Sequence, residues 1–282
     1  MIESEEIATL PEPNLSFVRQ TVLETVSESK QKLTPRELEK RLLQKVAVPR
    51  KTIKTAIKNL IDAQELIYSY HYGCSFLEKC FNKPIRISDR VVLKPPYICY
   101  RPEADQVVID IHPGVSFGSG EHPSTRLAIR GIDHALSRSS FSPDQKELQA
   151  LDIGTGSGVL AIVAAMLGMQ RVLGIDIDPC ARAEATKNVQ LNQLAHRIEI
   201  NDQKIENIGH SFSLITANLR YPTLKRLCAQ LSEISSKGGV VVLSGLKTDE
   251  VFDLVDRFKA SAFECQWENS EKDWIGLVFE KK

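Results

Sequence analysis

The stretch Leu151-Asp-Ile-Gly-Thr-Gly-Ser-Gly-Val-Leu-Ala161 constrains this chain more than any other. It leaves an apolar run of strand type and enters an apolar run of helix type through Gly154, Gly156 and Gly158. Glycine tolerates the left-handed backbone of a tight turn and lets a ligand approach the main chain closely. A dinucleotide loop has the spacing G-x-G-x-x-G and sets a pyrophosphate on the helix N-terminus. Here the spacing is G-x-G-x-G, and Asp152 leads it. A carboxylate there repels a phosphate and suits a cationic or polar ligand. The next strand-like run, Val172-Leu-Gly-Ile-Asp176, ends in an acid 24 residues after Asp152. In doubly wound folds an acid at about 20 residues past the loop accepts hydrogen bonds from ribose hydroxyls, so Asp176 is assigned that role. Asp178 and Pro179 read as N-cap and first residue of the following helix.

Around this loop, short β-branched runs alternate with helix-length segments. The strands expected are Gln149–Ile153, Arg171–Asp176, Arg197–Ile200, Ser213–Ala217 and Val240–Ser244, with helices over Val159–Leu167 and Pro179–Gln193. Such alternation predicts an α/β fold, a doubly wound parallel sheet covered by helices on both faces. Ala262–Trp267 and Trp274–Phe279 predict an antiparallel hairpin at the edge, which brings the sheet to seven strands.

The front of the chain reads differently. Residues 1–14 form a polar tail with Pro11 and Pro13. Val18, Val22, Leu23 and Val26 recur at helical spacing. Thr34-Pro35-Arg-Glu37 is a capping box that opens a second helix with Leu38, Leu42 and Leu43. Pro49 opens a third, whose apolar face is Ile53, Ala56, Ile57, Leu60 and Ile61. A β-rich stretch from Leu66 to Phe76, with Gly73 inside it, reads as a hairpin. Three short helices and a hairpin resemble a winged helix-turn-helix. The expected organisation is a tail (1–14), a winged-helix-like domain and linker (15–95) and a ligand-binding domain (96–282). Net charge is zero, yet residues 1–100 carry 16 Lys and Arg against 12 Asp and Glu. Arg50, Lys51, Lys54 and Lys58 lie mostly off the apolar face of the third helix, a pattern compatible with nucleic-acid contact.

No apolar run reaches the roughly 18 residues of a membrane span. The acidic start Met1-Ile-Glu-Ser-Glu-Glu shows no secretory signal. The six cysteines are scattered without a CxxC pair, which predicts reduced thiols, a cytoplasmic location and no metal site.

The run from Asp152 to Pro179 resembles the first two motifs of class I S-adenosylmethionine (AdoMet)-dependent methyltransferases. More narrowly, His112-Pro-Gly-Val-Ser-Phe117-Gly-Ser-Gly-Glu-His122-Pro-Ser-Thr125 resembles the F-G-T-G-x-H-x-T-T segment of the PrmA family, whose members trimethylate a ribosomal large-subunit protein. Ala217-Asn218-Leu219, Leu243-Ser-Gly-Leu-Lys and Trp274 resemble that family's later motifs, and together the likeness covers about residues 105–282. Ser119 stands where the family has Thr, and residues 1–95 lack the family's ferredoxin-like pattern.

The resemblance implies a protein N-methyltransferase acting on a lysine or N-terminal amine, with AdoMet contacted by Thr125, Gly154, Asp176 and Asn218. In amine methyltransferases with an N-P-P-Y tetrad, the Asn holds the donor nitrogen. The tetrad here is Asn218-Leu-Arg-Tyr221, so Asn218 is the expected catalytic residue and Tyr221 a substrate-facing aromatic. The 114–120 loop is expected to cover the cofactor, with Phe117 as its apolar lining. Asp202, after the third strand, is expected near the adenine amino group. His122 reads as a structural hydrogen-bonding residue rather than a base. Two other functions fit the same residues: a methyltransferase of RNA or a small molecule using the basic front domain as anchor or lid, and a non-catalytic AdoMet sensor.

Overall fold

The computed structural model describes residues 14–29, 33–63, 65–71, 74–79, 83–112, 118, 120, 122–138 and 148–282. The chain divides into two units, Met1–Asn82 and Lys83–Lys282. Among the described residues no helix is long and apolar enough to cross a membrane.

In the first unit, helices α1 (Leu15–Glu28), α2 (Pro35–Lys45) and α3 (Arg50–Asp62) precede an antiparallel hairpin of β1 (Leu66–His71) and β2 (Cys74–Lys79). The α2 cap is a reciprocal box. Thr34 Oγ1 accepts from the Glu37 N–H at 3.3 Å, and Glu37 Oε2 accepts from the Thr34 N–H at 2.9 Å. This satisfies two of the donors that a helix start leaves unpaired. Val18 and Val22, Leu38 and Leu42, and Ile53, Ala56, Ile57 and Leu60 are buried together. They come from one face of each helix, as the spacing predicts. Leu66 and Leu77 close this core from the hairpin, and Leu33 adds a single bridge to Leu77. Gly73 and residues 1–13 of the expected tail lie outside the described residues.

The second unit begins with a small sheet of β3 (Ile85–Arg86), β4 (Val91–Lys94) and β5 (Val107–Asp110). After helix α4 (Pro123–Ser137) comes the main sheet. Its strands are β6 (Gln149–Ile153), β7 (Arg171–Ile175), β8 (Ile198–Asn201), β9 (Phe212–Asn218), β10 (Ser235–Lys247), β11 (Phe263–Glu271) and β12 (Trp274–Lys281). Spatial order is β11-β12-β10-β9-β6-β7-β8. Neighbours from β10 to β8 are parallel, while β12 runs antiparallel to both β10 and β11. The α/β class, the seven strands and the terminal antiparallel hairpin are as the sequence predicts.

Helices α5 (Val159–Met166), α6 (Pro179–Leu191), α7 (Tyr221–Ile234) and α8 (Val251–Ala260) cover the sheet. Leu224 and Leu231 of α7 and Leu254 and Phe258 of α8 share one core with Ile215, Val241, Leu243 and Leu277. Side chains alternate across a strand. Val242 and Val278 therefore point the other way, where they meet Gly131 of α4. Helices α5 and α6 continue that layer, and α5 is buried almost all round, which is why its sequence is apolar throughout. From β6 the connections run to β7 on one side, and the chain later returns to β9 on the other. Where strand order reverses in this way, a crevice opens at the carboxyl ends of the strands.

Candidate active site

The glycine loop lies at that reversal. Gly154, Gly156 and Gly158 have φ of +70°, +55° and +81°, the left-handed region that glycine enters without strain. The Gly154 and Thr155 N–H groups donate to the Ile175 carbonyl at 2.9 and 3.0 Å, so the loop is tied to the end of β7. A Cβ on Gly158 would lie 3.1 Å from Ala185 Cα, so this glycine also permits close packing of α5 on α6.

Asp176 closes the turn from the next strand. Its Oδ2 accepts from the Gly156 N–H at 3.0 Å and its Oδ1 from the Asp178 N–H at 2.9 Å. Asp178 caps α6 by accepting from the Cys180 N–H at 2.8 Å, with Pro179 at the first turn. Asp152 sits beneath the loop at 1% exposure. Thr216 Oγ1 donates to its Oδ1 and Thr155 Oγ1 to its Oδ2, both at 2.7 Å. Burial lifts its carboxyl to about 6, against the downward pull of these hydrogen bonds. Asp152 thus underpins the loop instead of lining the crevice.

At the end of β9, Asn218 Nδ2 donates to Thr125 Oγ1 at 3.4 Å, joining the sheet to the first turn of α4. Thr125 is fully buried. The Leu219 N–H donates to the Ser244 carbonyl at 3.1 Å, and a Cβ on Gly245 would meet the Leu219 carbonyl oxygen at 2.4 Å. The backbone just after β9 and the end of β10 therefore close on one another beside Asn218.

Tyr221 and Asp202 have partners of their own, and two residues of the expected lid lie outside the description. Tyr221 begins α7, but its hydroxyl donates to Asp253 Oδ2 on α8 at 2.6 Å and accepts from Lys225 Nζ at 3.2 Å. Asp253 also accepts from Arg257 Nε at 2.9 Å, and these bonds hold its carboxyl well below the usual range, Arg257 first and then Tyr221. The hydroxyl is committed to this cluster. Asp202 follows β8, is exposed, and pairs with Arg182 Nη2 at 3.3 Å. Phe117 and Ser119 lie outside the described residues. Of the 114–120 loop, Gly118 is held against the glycine loop, its carbonyl accepting from Ser157 Oγ at 3.1 Å.

His122 is the N-cap of α4, accepting from the Ser124 N–H at 3.2 Å. Its ring stands edge-on to Trp274 with centroids 4.7 Å apart, and Lys247 Nζ lies 3.6 Å from the Trp274 ring centroid. Burial, then the charges of Arg126, Lys247 and Lys272, hold His122 down at about 4. It is neutral at pH 7 and serves the helix start, as read from the sequence.

Several supports escaped the sequence reading. Asn188 and Asn192 lie one turn apart on or just past α6. Asn188 donates to the Ser157 carbonyl at 2.8 Å and accepts from the His112 N–H at 3.1 Å. Asn192 brackets the Asp110 backbone with bonds of 2.9 and 2.7 Å. Polar residues at an i, i+4 spacing were the available signal. Glu271, at the end of β11, pairs with Arg126 and with Arg130, the latter at 2.7 Å, while Arg126 Nη1 also donates to the Gly120 carbonyl at 3.1 Å. No local pattern joins residues 145 apart. Among the described residues no group of His, Cys, Asp and Glu is arranged to hold a metal.

The family model described as ribosomal protein L11 methyltransferase (PrmA) matches residues 77–282. A ribosomal protein L11 methyltransferase of Heliobacterium modesticaldum is 34% identical over 201 residues, covering 71% of this chain and 61% of that protein. One from Geotalea daltonii is 31% identical over 234 residues, covering 81% of this chain and 72% of the relative. The chain spans 61% and 64% of the length of the first two curated relatives. The crystal structure of a ribosomal protein L11 methylase from Lactobacillus delbrueckii subsp. bulgaricus superposes with a TM-score of 0.61 at 29% identity, covering 71% of this chain and 98% of that one.

Proposed function

Because the chain belongs to the ribosomal protein L11 methyltransferase (PrmA) family, we propose that it is an AdoMet-dependent methyltransferase acting on an amine nitrogen, of a lysine or an N-terminus, in a ribosomal protein. One observation carries the reading at the level of chemistry. The Gly156 N–H, which a dinucleotide loop would offer to a phosphate, is taken by the Asp176 carboxylate. Together with Asp152 beneath, this makes the crevice one for a cationic nucleoside.

When bound, AdoMet supplies a methyl group on a positively charged sulfonium. The chain's residues do the rest by holding and orienting. Each Asp176 oxygen accepts one backbone N–H and keeps a lone pair for a ribose hydroxyl. Ionised Asp152 favours a positive ligand above the loop. Asn218 spends its amide N–H on Thr125, which fixes the side chain and leaves Oδ1 to accept from the acceptor nitrogen. That bond aims the nitrogen lone pair, and positioning of this kind is the main demand of an in-line displacement. A lysine acceptor, with an ordinary pKa of about 10.4, must arrive neutral. Desolvation in the crevice favours loss of its proton to water. His122, held neutral, supplies no proton.

The test is incubation of the purified chain with methyl-labelled AdoMet and the proteins of the large ribosomal subunit. Label that survives nuclease and is lost to protease is expected. Label lost to nuclease, or no transfer, would overturn the reading.

A further inference from the structure

Helix α3 carries charge that the fold does not use. Residues 33–63 hold eight Lys and Arg against three Asp and Glu. Glu37 is spent in the α2 capping box and Glu39 on Arg50 at 3.4 Å. Lys51, Lys54, Thr55 and Lys58 form one exposed face, spaced i, i+3, i+4 and i+7. It lies opposite the buried Ile53, Ala56, Ile57 and Leu60. Among the described residues none of these three lysines has an ion-pair partner. Like charges three and four residues apart on a helix repel and destabilise it, so the face costs stability and returns none to the fold.

The local geometry matches a helix that docks on nucleic acid. Helices α2 and α3 are joined by a four-residue turn, Val46-Ala-Val-Pro49, pinned by buried Val46 and Val48. Two helices joined by a turn of this length, the second exposing a basic face, is the helix-turn-helix arrangement. The three ammonium groups are spread over about 10 Å of helix, a span that reaches two or three phosphates. Lysines are point charges without the planar fork that reads base edges, so the contact is with the backbone and indifferent to base sequence. We infer that the exposed lysine face of α3 binds the phosphate backbone of double-stranded RNA. The choice of RNA rests on the reading that the acceptor is a ribosomal protein, which lies among RNA. The family match covers residues 77–282 and leaves this helix outside it.

The experiment uses the full chain without AdoMet and a labelled RNA duplex of arbitrary sequence, followed by anisotropy from 50 to 200 mM salt. Binding should weaken with salt at a log–log slope of about −2 to −3, from release of nearly one counterion per phosphate contacted. Lys51→Ala/Lys54→Ala/Lys58→Ala should bind at least about tenfold more weakly at 100 mM salt and flatten the slope, with its melting temperature kept. Absence of binding at 50 mM salt, equal binding by the variant, or binding to a DNA duplex of the same length as tight or tighter would each overturn the inference. Methylation of the free ribosomal proteins is assayed separately. RNA binding without methylation leaves this inference standing and removes the activity, whereas methylation without RNA binding does the reverse.

Discussion

At the carboxyl edge of the seven-stranded sheet, the polar side chains are buried or half-buried and bonded: Asp152 to Thr155 and Thr216, Asp176 to two backbone N–H groups, Asn218 to Thr125. On α3 the lysines stand exposed, without ion partners among the described residues. The first arrangement fixes atoms to within a hydrogen-bond length. The second makes a field and fixes nothing. Substitutions in the two regions should therefore fail in different ways: by lost position in the crevice, and by altered salt dependence on the helix.

The sharpest contrast is expected at Asn218. Asn218→Ala keeps the strand and the cofactor loop but removes the oxygen that aims the acceptor. A fall in kcat of about 100-fold, larger than any loss of AdoMet affinity, is expected from single-turnover kinetics and calorimetry. Full turnover in the variant would remove the role.

Next comes Glu271. Burial pushes its carboxyl up, but Arg126 and Arg130 hold it below the ordinary value. Glu271→Ala removes the carboxylate that two half-buried guanidinium groups share and should cost about 2 kcal/mol in urea unfolding. It should also weaken AdoMet binding, because Arg126 anchors the Gly120 carbonyl. A loss below about 0.5 kcal/mol, within the range of ordinary surface changes, would show that the pair anchors little.

Asp152 sharpens the comparison through pH. Its folded value, about 6, lies above the ordinary 3.8. The folded chain therefore holds this proton more tightly than the unfolded one. The resulting stability is fully present below pH 3.8 and is lost as pH rises through 6. His122 runs the other way: its value is depressed to about 4 from 6.5, so its contribution is present above 6.5 and lost as pH falls through 4. Comparison with Asp152→Asn isolates the carboxyl. The wild type should lose thermal stability relative to the variant between pH 5 and 7.5, while its AdoMet affinity rises over that interval as the anion forms. Parallel pH profiles for the two proteins would contradict both.

The smallest effect belongs to the helix. Replacing any one of Lys51, Lys54 or Lys58 by Ala should change stability by less than about 0.5 kcal/mol, read as an unshifted denaturation midpoint. A larger loss would mean that the face supports the fold.

The layout of the large unit was legible wherever one segment carries its own pattern. Gln149–Ile153 appears as read, because four of its five residues are buried and bounded by turn signals. Strand β10 begins at Ser235, five residues ahead of the expected Val240, because Gly238 and Gly239 interrupt the apolar run and the pairing register shifts there. Strands β3 to β5 are two to four residues long, too short for a period to show, so their residues read as a connector or not at all. In the crevice, the glycines and acids announce themselves locally. Their supports do not: Thr216 reaches Asp152 across 64 residues and Asn188 reaches Ser157 across 31. Tyr221 illustrates the limit from the other side, since its place in the tetrad says nothing of Asp253, the partner that holds its hydroxyl.

Calorimetric titration of AdoMet into the wild-type chain and into Asp176→Ala tests the central claim most directly. One equivalent should bind the wild type, and the variant should bind about 1–3 kcal/mol more weakly from lost charge-assisted hydrogen bonds. Equal affinity in the two proteins, or no heat with either, would contradict it.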